Sequence, residues 1–448
     1  MRLATSQIVA GVLTCLIAGG TTTIAQTAAP IRYELSNGLH VILRPIQGAQ
    51  QTAVVTLFAV GGDHDPEGAS GMAHLVEHAY VTAAAGNVPI RTTEEFMRAY
   101  PLGWNAQTGD DYTVFATVVA SQVDAEIRLH AQRMGQLQIT QADLRRELPR
   151  MEQELANMFG RIPFLAAPNL ARERVRPAPH GGRKGGRMEH LSRVSLPQLQ
   201  ARWQKYYQPR NAIFVVAGAF QAKDVRTAID TAFGALPPGD VAPPPHPPDT
   251  VEDTRPETVE VMGMPVELPS AAALTFRAPA ASSPDYPPFL VLYSRLLMQR
   301  PPVVFNRVSP APTVSYAALD DPSVLSIVAA LRPDESLEQV EARLRQFVET
   351  ASAAPWQEGE PTLTKQNVAY FLGTIPLPDA LLARNVYGVA FSLGRRQQLR
   401  LDGGALSKKL DGVTATDLER VVRGHFSPRH GVVVAVRIKS AAPRDSSE

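Results

Sequence analysis

Residues 199–217 read LQARWQKYYQPRNAIFVVA, and residues 418–436 read LERVVRGHFSPRHGVVVAV. Each stretch combines an amphipathic helical pattern, a Pro-Arg turn and a run of β-branched residues, which predicts a helix, a turn and a strand in that order. An aromatic-x-Pro-Arg sequence recurs at a fixed offset, with Tyr207 and Phe426 in matching positions. A repeated helix, turn and strand at a fixed spacing indicates two copies of one α+β unit.

A proline-rich segment separates the two copies. Residues 236–256 read LPPGDVAPPPHPPDTVEDTRP and lack helical or strand periodicity, as in an extended linker. A chain of 448 residues, of which 44% are hydrophobic and 19% charged, is long enough for two packed cores. We therefore predict an α+β fold of two homologous domains, each an antiparallel-rich sheet packed with helices, that together form a clamshell. The predicted divisions are a signal peptide at 1–25, a first domain at 31–235, the linker at 236–256, a second domain at 257–440 and a tail at 441–448.

The amino-terminal residues predict export. Arg2 and the apolar run over residues 8–18 have the form of a secretory signal, with Ala25 as a suitable cleavage point. The one cysteine, Cys15, lies inside this signal, so the mature chain forms no intramolecular disulfide; a lipoprotein anchor is the alternative interpretation. No later segment approaches the roughly 18 uninterrupted apolar residues of a membrane span. We expect a periplasmic or secreted mature protein without a membrane span. The net charge of +1 is uninformative about nucleic acid, but the lack of a dense basic run argues against a nucleic-acid partner.

The segment HLVEH at residues 74–78 predicts a metal site. Residues four apart lie on one face of a helix, so His74 and His78 can direct both imidazoles at one ion. Glu77 lies beside that face. A catalytic zinc ion takes three protein ligands and keeps one position for water, so a third ligand must come from elsewhere.

The third ligand is predicted from a later helix. Glu154 is the best candidate because Glu147, seven residues earlier, lies on nearly the same helical face and can support the site. Glu152 is the alternative, but it points away from Glu154. Pro149 removes a helical hydrogen bond, and a helix that began only at Leu148 would weaken the same-face argument for Glu147.

These motifs resemble the pitrilysin/insulinase family of inverted-motif zinc peptidases, which includes mitochondrial processing peptidase. The resemblance rests on PEGASGMAHLVEHAY at 66–80, Asn105-Ala106-x-Thr108 before a strand, Glu147 and Glu154 at the family's spacing, YYQPRN at 206–211 and the duplicated second half. It covers residues 31–440, which is nearly the whole predicted mature chain.

Carried over residue by residue, the resemblance implies one zinc ion per chain held by His74, His78 and Glu154, with Glu77 as general base and Glu147 in support. It places Asn105 and Ala106 on a strand edge that pairs with an extended peptide. The first domain is then the catalytic one, and the second domain holds no zinc. The implied activity is that of a zinc-dependent endopeptidase or oligopeptidase that hydrolyses peptides in an enclosed chamber, with Glu77 activating zinc-bound water. The alternative is a catalytically silent scaffold or assembly subunit of the same family; a zinc hydrolase acting on a non-peptide amide has no sequence feature in its favour.

The second half departs from the family pattern. Family members place an Arg and a Tyr there, in a stretch resembling Leu-Arg-x-Lys-x-Gly-x-Ala-Tyr, to bind substrate and stabilise the oxyanion. Here the corresponding stretch reads FNRVSPAPTVSYAAL, in which Tyr316 fits, Ser309 stands at the Arg position and Arg307 is out of step. Arg307 and Tyr316 are therefore candidate substrate-binding residues only. We expect a dimer, and a heterodimer with a homologous chain that supplies the Arg and Tyr would complete the site.

Two further segments invite functional interpretation. Asp63-His64-Asp65 could ligate a metal, but such a sequence is typical of a turn before a helix. Residues 171–187, ARERVRPAPHGGRKGGR, lack the pattern of a phosphate-binding loop. We interpret them as a mobile surface loop beside the cleft.

Overall fold

The computed structural model describes residues 29–176, 185–239, 255–261, 268–298, 312–317, 323–353, 355, 360–372, 378–427 and 430–439. The predicted signal peptide, the tail, Arg307 and most of the predicted linker lie outside these residues. We call residues 29–239 the first half and residues 255–439 the second half.

The first half contains both sheet strands and helices. Its strands are β1 (Ile31–Glu34), β2 (His40–Pro45), β3 (Thr52–Phe58), β4 (Ala84–Ala85), β5 (Trp104–Thr108), β6 (Thr113–Val119), β7 (Leu137–Gln138) and β8 (Ala212–Gly218). Its helices are α1 (Met72–Thr82), α2 (Thr93–Ala99), α3 (Val123–Gln136), α4 (Gln141–Ala156), α5 (Pro163–Val175), α6 (Met188–Leu191), α7 (Leu196–Tyr206) and α8 (Ala222–Phe233). Short 3-10 turns lie at Gly62–His64 and Pro209–Asn211, and a π-helical turn at Asn157–Arg161 follows α4.

The second half repeats this mixture. Its strands are β9 (Glu257–Val261), β10 (Ala271–Arg277), β11 (Thr313–Tyr316), β12 (Val324–Ala330) and β13 (Gly431–Ile438). Its helices are α9 (Tyr286–Met298), α10 (Leu337–Ala353), α11 (Glu360–Leu372), α12 (Asp379–Leu382), α13 (Val386–Gln398), α14 (Gly403–Asp411) and α15 (Ala415–His425). Among the described helices, none has the length and apolar character needed to cross a membrane.

The two main sheets share one strand order. The first sheet runs β1-β2-β8-β3-β6-β5, and the second runs β11-β12-β10-β13-β9. In each sheet one pair is parallel, β2 with β8 and β9 with β13, and the other pairs are antiparallel. The second sheet therefore repeats the first from β5 to β2, and only the first sheet adds β1. The fold is α+β, as the sequence predicts.

The repeated sequence segments form matching elements at the centre of each sheet. Helix α7 leads through the 3-10 turn at Pro209–Asn211 into β8, and α15 leads into β13. Strand β8 is buried along its whole length, and β13 is buried over Gly431–Val436. Such uninterrupted β-branched runs are typical of strands that are covered on both faces.

One face of each sheet is covered by a helix from the other half. Helix α5 packs against the second sheet through its fully buried Ala166, Ala167, Ala171 and Val175. Helix α13 packs against β3 and β8 of the first sheet. This reciprocal exchange joins the halves through apolar surfaces. It also shows that the loop predicted over residues 171–187 is wrong at its start, because Ala171 and Val175 belong to the buried face of α5.

Helix α4 begins at Gln141, well before Pro149, which lies inside the helix. Thr140 caps its N-terminus, where the Thr140 side chain accepts a hydrogen bond from the backbone N–H of Asp143 and the Asp143 side chain accepts one from the backbone N–H of Thr140. This reciprocal cap fixes the start of the helix at Gln141, and Pro149 lies within it. A helix start at Leu148 is therefore wrong, and the region around Glu147 is helical.

Candidate metal centre

Helix α1 is anchored at its first turn by the buried carboxylate of Asp65. The backbone N–H groups of Gly71 and Ala73 donate to its two oxygens at 2.7 and 2.9 Å, and Arg202 pairs with it at 2.8 Å. Burial raises the pKa of Asp65, and Arg202 and the backbone donors oppose that rise. A carboxylate at a helix N-terminus is stabilised by the free N–H groups and the helix dipole. The segment at 63–65 thus acts as a turn before the helix, as predicted.

Three side chains meet at the predicted metal position. Nε2 of His74 lies 3.8 Å from one carboxylate oxygen of Glu154, and Nε2 of His78 lies 3.6 Å from the other. The ligand atoms of all three lie within 4.8 Å of one another. Two atoms bound to one tetrahedral zinc ion at about 2.0–2.1 Å would be about 3.4 Å apart. The spacing therefore suits one zinc ion between these side chains. Within the described residues, this is the one His/Cys/Asp/Glu group with metal-binding geometry.

The other nitrogen of each imidazole is already engaged. Nδ1 of His74 lies 3.0 Å from the carbonyl oxygen of Gly185, and Nδ1 of His78 lies 3.3 Å from a carboxylate oxygen of Glu147. Carbonyl and carboxylate oxygens only accept, so each Nδ1 carries the hydrogen and donates it. Each Nε2 faces Glu154 and is the nitrogen left for a metal ion, which would take the place of any hydrogen on it. The donor set of two imidazoles and one carboxylate fits zinc.

Two glycines allow the Gly185 carbonyl to reach His74. Gly71 and Gly186 have φ values of +98° and +104°, and they pack directly against each other. A Cβ on Gly186 would lie 2.3 Å from the Cα of Gly71, and one on Gly71 would lie 2.9 Å from the Gly185 oxygen. Any larger side chain at either position would push the two segments apart. The Gly185-Gly186 pair is therefore part of the site, which the loop interpretation of residues 171–187 missed.

Glu147 supports His78 from inside the protein. Its side chain is 1% exposed and accepts hydrogen bonds from Thr82 at 2.9 Å and from Arg146 at 2.8 Å, besides that from His78. Burial raises the pKa of Glu147, but the hydrogen bonds from His78, Thr82 and Arg146 outweigh it and hold the pKa below its usual value. Glu147 is therefore a fixed negative charge behind the ligand.

The carboxylates around His78 favour positive charge. Burial lowers the pKa of His78, but hydrogen bonds with Glu147 and Glu154 and the charge of Glu77 raise it to about 10. Burial also raises the pKa of Glu154, and the hydrogen bond from His78 and the charges of His74 and His78 bring it below its usual value. A cation at this position meets complementary charge on several sides.

Glu77 is held beside the cluster by the neighbouring strand. It is 7% exposed, and the hydroxyl of Thr108 at the end of β5 donates to its Oε2 at 2.8 Å. A cavity of about 400 Å³ opens next to His74 and Thr108. The walls of that cavity include Asp63, which pairs with Arg176 at 2.7 Å. The base candidate, the ligand cluster and an open volume thus adjoin.

Strand β5 offers the backbone edge that the sequence predicts. It carries Asn105 and Ala106, pairs with β6 on one side, and is the last strand of the first sheet in the described part of the chain. An edge strand has unpaired N–H and C=O groups that an extended peptide can pair with. The side chain of Asn105 donates through Nδ2 to the hydroxyl of Tyr387 on α13 at 2.7 Å.

Of the two residues predicted in the second half, the structure describes Tyr316, which lies away from this cluster. Arg307 lies outside the described residues. Tyr316, at the end of β11, is 9% exposed and belongs to the core of the second half. Its ring lies 5.2 Å from that of Phe289 and 5.0 Å from that of Tyr293, measured between centroids.

Comparison with known proteins relates part of the chain to a peptidase family. A sequence model described as the peptidase M16 inactive domain matches residues 193–368. The chain is also similar to the zinc protease PqqE of Helicobacter pylori (strain ATCC 700392 / 26695), with 24% identity over 196 residues, which span 43% of this chain and 44% of that protein. Residues 193–368 thus match the M16 (pitrilysin/insulinase) family. The matched region begins at residue 193, so the ligand cluster lies outside it.

Solved structures share the fold of this chain. A protease from Helicobacter pylori gives a TM-score of 0.75 at 20% identity, covering 91% of this chain and 99% of that one. The periplasmic protease PqqL from Escherichia coli gives 0.68 at 17% identity, covering 92% of this chain and 48% of PqqL. A peptidase M16 inactive domain from Pseudomonas fluorescens gives 0.71 at 15% identity, covering 92% and 99%.

Proposed function

We propose that this chain is an exported zinc-dependent endopeptidase or oligopeptidase that holds one zinc ion per chain. The observation that carries the proposal is the cluster of His74, His78 and Glu154, in which both imidazoles direct Nε2 toward the Glu154 carboxylate. Glu77 lies beside that cluster as a base. The similarity to a periplasmic protease and the predicted signal sequence support action in the periplasm.

The side chains divide the chemistry of peptide hydrolysis among them. A zinc ion held by His74, His78 and Glu154 would polarise the scissile carbonyl and lower the pKa of a coordinated water. Glu77 accepts the proton of the attacking water and returns it to the leaving amine. Thr108 fixes the orientation of Glu77 through its hydroxyl.

The remaining groups bind and orient. Glu147 keeps the Nδ1 hydrogen on His78, so Nε2 remains a ligand. The free edge of β5 pairs with the backbone of an extended peptide, which accepts many side-chain sequences. We propose unfolded peptides as substrates, and a dimer, with a homologous partner chain as the source of the missing Arg and Tyr.

The second candidate is a catalytically silent scaffold of the same family. The description of the matched region as an inactive domain is the observation in its favour. Against it, the first half retains the ligands His74, His78 and Glu154 together with Glu77. Both candidates predict zinc binding, so hydrolysis decides between them.

The test uses the purified mature chain, alone and with any co-encoded homologue. We expect zinc near one ion per chain and cleavage of peptides from a casein digest, detected by mass spectrometry. Glu77→Gln should keep its zinc and lose cleavage by at least about 10²-fold, since general acid–base catalysis contributes about 10²–10⁴-fold. Glu189→Gln, at an exposed carboxylate on α6, is the matched control. Full zinc occupancy without cleavage under either condition would establish the scaffold instead.

A further inference from the structure

One face of α13 contacts the β5–β6 hairpin at three successive points. Tyr387, Phe391 and Arg395 are four residues apart and therefore lie on one side of this helix. The hydroxyl of Tyr387 accepts the hydrogen bond from Asn105 at 2.7 Å. The ring of Phe391 meets that of Tyr112 edge-on, with centroids 5.7 Å apart. A helix of the second half thus follows the hairpin that forms the peptide-binding edge of the first half.

The third point of contact fixes the hairpin turn. Arg395 donates to both carboxylate oxygens of Asp111 at 2.9 and 3.0 Å, and its guanidinium lies 4.2 Å from the ring centre of Tyr112. Arg395 is 0% exposed and Asp111 is 2% exposed. Both bonds come from one nitrogen, Nη2, and such a buried, charge-assisted contact holds the two groups close together. Tyr112 in turn accepts a hydrogen bond from Gln107 on β5 at 3.0 Å.

The contact at Asn105 differs from the other two because it reaches the exposed strand itself. Asn105 is partly exposed on β5, three residues before Thr108, which holds Glu77. Because Nδ2 of Asn105 donates to the Tyr387 hydroxyl, the amide oxygen of Asn105 remains available as an acceptor. Without the Tyr387 hydroxyl, the amide could rotate and present either end to a neighbouring peptide.

We infer that Tyr387 is a positioning residue for the peptide substrate. It orients the Asn105 amide on β5, so a peptide added to the strand edge meets one fixed pattern of donors and acceptors. The second half therefore contributes to peptide binding through α13, independently of the predicted Arg307 and Tyr316. This inference rests on the proposed peptidase function.

The test removes one hydroxyl group and little else. Tyr387→Phe keeps the ring on α13 and deletes the acceptor of the Asn105 hydrogen bond. One net hydrogen bond is worth about 0.5–1.5 kcal/mol, which corresponds to about a 2- to 13-fold rise in KM. The kcat and the zinc content should stay unchanged. The matched control is Tyr33→Phe on β1, at the opposite edge of the same sheet, where the buried hydroxyl has no hydrogen-bond partner in the described part of the chain.

A double-mutant cycle identifies the route of the effect. If Tyr387 acts through Asn105, then Tyr387→Phe should raise KM in the native background and leave it unchanged in Asn105→Ala. Equal fold-changes in the two backgrounds would overturn the inference, because they would show that Tyr387 acts elsewhere. A fall in kcat with zinc loss would also overturn it, since that pattern marks general structural damage.

A binding measurement separates this inference from the proposed activity. In the Glu77→Gln background, the Kd of a fluorescein-labelled casein peptide is read by anisotropy, with and without Tyr387→Phe. If the unmodified chain hydrolyses no peptide but Tyr387→Phe still weakens peptide binding, the peptidase function is refuted and the positioning role is kept. If the unmodified chain hydrolyses peptides and Tyr387→Phe leaves KM unchanged, the peptidase function is kept and the positioning role is refuted. A chain that neither binds nor cleaves peptides would refute both.

Discussion

Replacing Glu147 by Gln tests whether a buried carboxylate tunes the metal site without touching the metal. Glu147 accepts the Nδ1 hydrogen of His78 and is 1% exposed. In Glu147→Gln, one carboxylate oxygen becomes an NH2 group. If that group faces His78, two donors oppose each other, and the imidazole must rotate or move its hydrogen to Nε2. If it faces Thr82 and Arg146, it disrupts their contacts instead.

The expected loss follows from the contacts of His78. Partners that orient metal-bound histidines typically contribute 10- to 100-fold in metal affinity, which corresponds to about 1.4–2.7 kcal/mol. We expect Glu147→Gln to weaken zinc binding within this range and to lower kcat/KM at limiting zinc. The fold should survive, because Arg146 keeps Asp143 as an ionic partner at 2.6 Å.

The assay is competition for zinc against a chromophoric chelator, with the free energy of unfolding measured in parallel. Glu152→Gln provides the control, because it removes the same charge from an exposed position on the same helix. A zinc affinity of Glu147→Gln equal to that of the unmodified chain would refute the argument that the Glu147 contact orients His78. An equal loss of affinity in Glu147→Gln and Glu152→Gln would also refute it, because it would attribute the effect to net charge alone.

Three further predictions concern stability. Arg395→Met removes the buried cation that pairs with the buried Asp111 carboxylate and should lower the free energy of unfolding by about 3–5 kcal/mol in urea titrations; a loss below about 1 kcal/mol would show that the pair is not needed. Ala171→Leu adds volume where α5 meets the second sheet with 0% exposure and should cost about 1–3 kcal/mol, whereas an unchanged urea midpoint would contradict the close packing described for α5. Burial, with a smaller effect of Arg133, lowers the pKa of His130 to about 3. Unfolded chains protonate this histidine near pH 6.5 and the folded chain does not, so stability should fall as pH drops from 6.5 toward 3, by up to about 1.4 kcal/mol per pH unit. His130→Gln should flatten this slope, and an identical slope in both proteins would exclude His130 as its source.

The parts of the site that sequence could predict are those set by short-range geometry. His74 and His78 meet because one helical turn separates them, and that relation is visible in five letters of sequence. Glu154 was found through its seven-residue spacing from Glu147, which a helix also dictates. The start of α4 is also a local matter, because the cap at Thr140 determines where the helix begins and Pro149 inside the helix does not move that start.

The parts that sequence could not predict depend on contacts between distant segments. The Gly185 carbonyl meets His74 across 111 positions, and Tyr387 meets Asn105 across 282 positions. No periodicity in either segment records such a pairing. The adjacent glycines at 185 and 186 were the available signal for the first contact, since paired glycines often mark a close backbone approach. For Tyr387 no local signal exists, because an amphipathic helix with a tyrosine is compatible with any sheet that it could cover.

The reciprocal exchange of α5 and α13 bears on how such a chain could have arisen. A single copy of the repeated unit would have one bare apolar sheet face, since the helix that covers that face comes from the other copy. Two identical chains that traded this helix would cover both faces at once, and joining their genes would preserve the arrangement. Two polypeptides produced by division at the proline-rich linker should accordingly be found only as a tightly associated pair.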